Sequence, residues 1–170
     1  MLNIKISDEK FHIKNIDKSS IRNIYSIYRN SHEFKYATGI FHEINYDQFS
    51  AQISQFIQRE NVFFLDIYLD TGEFIGLIKG IVAKKDGIVW INSMIINTPY
   101  QGRGFGQRII SLLETYLKRC GINKVFLSVY KNNIPGISFW KKCSFANYNG
   151  YYKNQCVNIN SSVQIMYKLI

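Results

Sequence analysis

The chain is poor in proline, cysteine and histidine. Only two prolines occur in 170 residues, at 99 and 135, and both mark junctions between patterned segments. The cysteines are Cys120, Cys143 and Cys156. Their number is odd and no CxxC occurs, which argues against a disulfide framework or a cysteine metal site and fits a reducing cytoplasm. The histidines, His12, His32 and His42, show no HxxxH spacing and read as structural or surface residues, so no metal is expected. No uninterrupted apolar run approaches the ~18 residues of a membrane span. The start, MLNIKISDEKFHIKN, alternates apolar and charged residues and lacks the apolar stretch of a targeting peptide. Repeats, low-complexity tracts and linkers are also missing. One domain over residues 1–170, cytoplasmic and without a membrane segment, is the expectation.

Acidic residues are scarce in one half. Residues 1–85 carry 11 Lys/Arg against 10 Asp/Glu, whereas residues 86–170 carry 10 against 2. That field favours an anionic partner, either a phosphorylated cofactor or a nucleic acid, unless the charge serves solubility alone. With 46% hydrophobic and 19% charged residues the chain has the composition of a globular protein.

Periodicity then orders the chain. FHIKNI (11–16) alternates as a strand does. Residues 17–32 place Ile21, Ile24, Tyr25, Ile27 and Tyr28 on one helical face, with Asp17 or Ser19 as N-cap. TGIFHEI (38–44) reads as loop, and 46–59 as a second helix carrying Phe49, Ile53, Phe56 and Ile57. Segments 62–69, 74–84 and 88–96, separated by DTGE and KKDG, read as an antiparallel meander. A helix over 104–120 ends at Gly121, followed by a parallel strand, 124–130. Pro135 opens a short helix over 134–142, and the tail suggests a final β pair.

The stretch TPYQGRGFGQ (98–107) joins a strand to a helix and holds Gly102, Gly104 and Gly106. A helix N-terminus offers unpaired N–H groups, and glycines let a phosphate approach the backbone, so the loop is an anion site. GxxxxGK[ST] is absent, since Gln107 and Arg108 follow Gly106. GxGxxG fails too, because position 107 is Gln and position 109 is Ile. What remains is Q-x-x-G-x-G, Gln101 to Gly106.

Here the sequence resembles the GNAT superfamily of acetyl-CoA-dependent N-acetyltransferases, whose cofactor loop is [QR]-x-x-G-x-[GA]. NNIPGISFWKKCSF (132–145) is similar to the family's N-x-x-A-x-x-x-Y-x-x-x-G-F segment, with Asn133 and Phe145 matching. Gly136, Trp140 and Ser144 stand where Ala, Tyr and Gly are usual. The resemblance implies an α/β (α+β) fold: a mixed, mostly antiparallel sheet of about seven strands with about four helices, splayed between the fourth and fifth strands. It implies that acetyl-CoA is the co-substrate and that a primary amine of a small molecule or a peptide/protein is acetylated by direct attack. It also allows a homodimer through the C-terminal strands.

Site roles follow from the same resemblance. N–H groups of Gln101, Gly102, Arg103, Gly104, Phe105 and Gly106 would hold the pyrophosphate. Met94, Ile95 and Ile96 would offer backbone to the pantetheine arm, and Asn133 would reach its amides. Arg103, Arg108, Lys141 and Lys142 are candidates near the adenosine phosphates. The Met94 N–H would polarise the thioester carbonyl. By the period of two, Asn92 shares a face with Trp90 and Met94 and is a candidate to position a water, or else a satisfied buried amide. Trp140 occupies the position of the usual acid, and an indole cannot donate a usefully acidic proton. Tyr130, Tyr148, Tyr151 and Tyr152 are the alternative acids, and Glu33 and Glu43 are carboxylates near the acceptor side. Two other functions compete: a CoA-binding module without transfer chemistry, suggested by Trp140, and a nucleic-acid binder, suggested by the basic half but lacking an aromatic RNP-like strand.

Overall fold

A computed structural model describes residues 2–29, 31–150 and 162–170. Among the described residues the sheet has eight strands: β1 (Lys5–Ser7), β2 (Phe11–Asn15), β3 (Val62–Leu69), β4 (Phe74–Ala83), β5 (Ile88–Ile96), β6 (Lys124–Tyr130), β7 (Ala146–Asn147) and β8 (Val163–Leu169). The helices are α1 (Ser20–Arg29), α2 (Ser31–Thr38), α3 (Tyr46–Ile57), α4 (Phe105–Arg119) and α5 (Ile134–Lys142). The sheet order is β1-β2-β3-β4-β5-β6-β8-β7, antiparallel throughout except between β5 and β6. The expected mixed sheet is therefore present, with one strand and one helix more than the sequence pattern indicated. β1 is three residues long, too short to show a period of two. α2 begins within the helix expected over 17–32 and runs on to Thr38, across residues 33–37 to which the pattern assigns nothing.

Both faces of the central strands are covered, which explains the continuous apolar run VFFLDIYL of β3. On one face Ile109, Ile110, Leu113 and Leu117 of α4 join Trp140 of α5 and Val89, Ile91, Val125 and Leu127 of the sheet. On the other, Ile24, Ile27 and Tyr28 of α1 and Phe49 and Ile53 of α3 pack on Phe64, Leu77 and Ile95. Gly121 ends α4 as expected, whereas the cap of α3 is Asn45, which the sequence pattern does not name. Asn45 Oδ1 accepts from the Gln48 N–H at 2.8 Å and caps α3. Gly121 follows α4 with φ +81°, and Ile122 N–H returns to Leu117 O at 3.0 Å.

One carboxylate is buried in the strands. Asp66, fully buried in β3, accepts from Tyr68 Oη at 3.4 Å on one oxygen, while its Oδ1 has no partner among the described residues. Burial pushes its pKa up to about 6, against the hydrogen bonds from Ser20 and Tyr68.

β5 carries a bulge at Asn92. Lys79 pairs with Ser93 and Gly80 with Ile91, so Asn92 has no partner on β4. The extra residue reverses the side-chain alternation. Trp90 packs with Phe126 and Ile165 on one face, whereas Met94 and Ile96 pack with Val89 and Ile91 on the other. The expected common face of Trp90, Asn92 and Met94 is thus corrected: Trp90 and Met94 lie on opposite faces, because the strict period of two is broken between them.

Candidate active site

The parallel pairing of β5 and β6 stops at Ile91 and Leu127, just before the bulge. Both strands continue, β5 to Ile96 and β6 to Tyr130, without pairing to each other. β6 stays tied to β8 over Lys124–Tyr130 while β5 stays tied to β4. A slot therefore opens through the sheet. The Asn97 N–H donates to Ile75 O on the β4 side. By alternation along the ladder, the N–H and C=O of Met94 and Ile96 point to the opposite edge, into the slot. Gln101 Nε2 already donates to Ile96 O at 2.7 Å.

The slot is a cleft of about 780 Å³. Of the residues expected at the site, it is lined by Asn92, Met94, Ile95, Ile96, Gln101, Gly102, Gly104, Phe105, Gly106, Asn133 and Trp140. Lys142 joins them. The Arg103 side chain instead lies over the Tyr100 ring, 5.8 Å from its centroid. Arg108 is engaged elsewhere: its Nε and terminal nitrogen reach Asp8 Oδ2 at 2.8 and 2.7 Å. The proximity of that guanidinium to a phosphate group, expected from sequence, is not what this pairing serves.

The glycine loop has the features of an anion cradle. Gly102 and Gly104 have φ of +73° and +76°, where only glycine is unstrained, and a Cβ at either would meet nothing within 4 Å. Gly104 is the N-cap of α4. The first intrahelical bond is Arg108 N–H to Gly104 O at 3.2 Å, so the N–H groups of Phe105, Gly106 and Gln107 precede it at the positive end of the helix. Gly106 differs. Its φ is ordinary, but a Cβ there would stand 2.8 Å from the Phe139 ring and 3.7 Å from Met94 Cε. It lets α4, α5 and β5 converge at the slot.

The second motif is explained by its end structures. Asn133 caps α5, its Oδ1 accepting from Gly136 N–H at 3.0 Å. An alanine Cβ at 136 would stand 2.4 Å from Asn133 Nδ2, so the Asn133 amide would have to shift to admit it. Ser144 follows α5 with φ +66°, the left-handed position where glycine is usual. Ser144 N–H donates to Lys141 O and Phe145 N–H to Trp140 O, with the Trp140 and Phe145 rings 5.1 Å apart. Trp140 is thus a packed residue, 8% exposed, at the edge of the cleft.

The face of α2 was not legible as part of the site. Glu33, Phe34, Tyr36 and Ala37 line the cleft. Ser93 Oγ donates to Ala37 O at 2.7 Å, and Thr98 Oγ1 bonds Glu33 Oε1, so α2 is fastened at two points to β5 and the turn that follows it. Of the alternative tyrosines, Tyr130 ends β6 beside Tyr36, with ring centroids 5.6 Å apart, whereas Tyr148 packs on Phe126 and Tyr167 away from the cleft lining. Tyr151 and Tyr152 lie outside the described residues. Glu43 is exposed and does not line the cleft. Among the described residues no helix is long and apolar enough to cross a membrane, and no group of three His, Cys, Asp or Glu side chains is arranged to hold a metal.

A slot between two parallel strands, opening on a glycine-capped helix, is a family signature when the sequence agrees. The acetyltransferase (GNAT) family model matches residues 21–145, most of the chain. The chain belongs to the GNAT family. A Bacillus subtilis (strain 168) spermine/spermidine N(1)-acetyltransferase is 32% identical over 65 residues, 36% of this chain and 41% of that protein. The match thus spans about two fifths of that relative's length. Two solved structures share the GNAT fold at low identity. One is a Vibrio cholerae spermidine N-acetyltransferase in complex with CoA and spermine (18% identical, 95% of this chain and 96% of that one, TM-score 0.78). The other is a Salmonella typhimurium acetyl transferase that modifies the N-terminal serine of ribosomal protein L7/L12 (15%, 98% and 99%, TM-score 0.79).

Proposed function

We propose that this chain is an N-acetyltransferase that moves an acetyl group from acetyl-CoA to a primary amine by direct attack. The observation that carries the reading is the slot. It presents the unpaired edge of Met94–Ile96 to an extended ligand and ends at the cradle of residues 101–106. In this reading the N–H groups of the loop and the first turn of α4 hold the pyrophosphate. The Met94–Ile96 edge and the Asn133 amide hold the pantetheine arm. The Met94 N–H polarises the thioester carbonyl. Lys142, the cation lining the cleft, attracts the phosphates.

Chemistry then needs a neutral amine in line with the carbonyl carbon. Holding both reactants together supplies much of the acceleration. The C–N bond forms as the C–S bond breaks, and the thiol, with an ordinary pKa of about 8.5, is a tolerable leaving group without an acid at position 140. Asn92, exposed on the bulge and lining the cleft, positions the amine or a water that takes its proton. The same proposal takes the chain as one domain working in the reducing cytoplasm. The relatives' acceptors, polyamines and a protein N-terminus, support an amine as acceptor class.

Incubation of the protein with acetyl-CoA and a panel of amines, followed by release of free thiol, tests it. Amine-dependent thiol release is expected. Tight CoA binding with no turnover on any amine would make the chain a CoA-binding module instead.

A further inference from the structure

Three aromatic rings stand together where α2 meets the slot: Tyr36 lines the cleft, and Phe41 and Tyr130 pack against it just outside the lining. Tyr36 comes from α2, Phe41 from the segment after it, and Tyr130 from the last position of β6. Their centroids lie 5.6 Å (Tyr36–Tyr130), 5.7 Å (Phe41–Tyr130) and 6.3 Å (Tyr36–Phe41) apart. The trio therefore joins α2 to the far wall of the slot. It is not core packing: Phe41 is 57% exposed and Tyr36 36%. Large rings left in water beside a cleft are a surface waiting for an apolar partner.

Charge around the trio narrows the ligand. Among the described residues lining the cleft, Glu33 is the single acid. It lies one helical turn from Tyr36 on α2, and its carboxylate is held by Thr98. Cations crowd the same rim. Lys35 Nζ sits 5.3 Å from the Tyr36 centroid, and Lys131 follows Tyr130 and is exposed. A polyamine brings several positive charges and would need several carboxylates. Here it would meet one, with lysines beside it and an overall charge of +9.

Resting on the acetyltransfer reading above, we infer that Tyr36, Phe41 and Tyr130 form the acceptor subsite. Its ligand is a primary amine with a single positive charge on an aromatic or other apolar body. The rings take the body and Glu33 attracts the ammonium.

Phenethylamine, spermidine and a short peptide with a free N-terminus, each with acetyl-CoA, separate the outcomes. The expected result is a kcat/KM for phenethylamine at least about ten-fold above that for spermidine, the worth of one buried ring face. Phe41→Ala should raise the KM for phenethylamine about ten-fold while the KM for acetyl-CoA holds, which also shows that the variant is folded. Preference for spermidine or the peptide, or indifference of the phenethylamine KM to Phe41→Ala, overturns the inference and leaves acetyltransfer standing. No thiol release with any of the three overturns both.

Discussion

Gly106 lies against the edge atoms of the Phe139 ring, so close that a single added methyl would stand 2.8 Å from ring Cε2. The glycine that opens α4 and the aromatic that lines the slot are therefore one packing unit. Gly106→Ala is expected to cost about 1–3 kcal/mol through overpacking, and Phe139→Leu in the same chain to recover part of it. Urea unfolding of the two single variants and the double variant measures the coupling. Additive losses would mean that the two residues act separately.

Ser144 occupies a left-handed backbone position at φ +66°. An L-residue there is strained by roughly 1–2 kcal/mol relative to glycine. Ser144→Gly should therefore raise stability by about 1 kcal/mol, because the turn already has its hydrogen bonds to Lys141 and Trp140. The urea midpoint should rise with the slope unchanged.

Asp66 makes stability depend on pH in a direction opposite to that of a paired carboxylate. Its folded-state pKa is raised from 3.8 to about 6 by burial. The native state then holds a proton that the unfolded chain has lost, so stability falls as pH rises through that window. The loss amounts to about 3 kcal/mol at most. Asp66→Asn should flatten this part of the profile and leave the protein more stable at neutral pH. Melting temperatures of the two proteins between pH 4 and pH 8 decide it.

Trp140 packs against Phe139 and Phe145 with ring centroids at 4.9 and 5.1 Å. If packing is its part at the cleft, Trp140→Phe should change kcat far less than the roughly 10²–10⁴-fold that a positioned acid supplies. A fall in that range, with the variant folded at the assay temperature, would give the indole N–H a part in the chemistry.

How much of this was legible follows element by element. The loop from Gln101 to Gly106 stood out because glycines at fixed offsets and a helix behind them have few physical meanings. α3 and α4 carried clear apolar stripes, Gly121 marked the end of α4 and Pro135 the start of α5. α2 showed no such stripe, because its residues serve two surroundings: Phe34 is buried, while Glu33 and Tyr36 face the cleft. Arg108 looked like a phosphate ligand by its place in the chain, and only the fold brings Asp8 to it from 100 residues away. The bulge at Asn92 left no trace in IVWINSMII, since both faces of β5 are buried and an apolar run has no visible phase.

That bulge sets the sidedness of the strand. Upstream of Asn92, even-numbered side chains such as Trp90 belong to one core and odd-numbered ones such as Ile91 to the other. Downstream the parity is exchanged, with Met94 and Ile96 joining Ile91 and with Ile95 on the opposite side. One inserted residue acts as a frameshift in space. Deleting Asn92 would join Ile91 to Ser93 in a regular ladder and leave the last four positions of β5 facing as they do, whereas holding all nine residues in a regular strand would turn those four inside out.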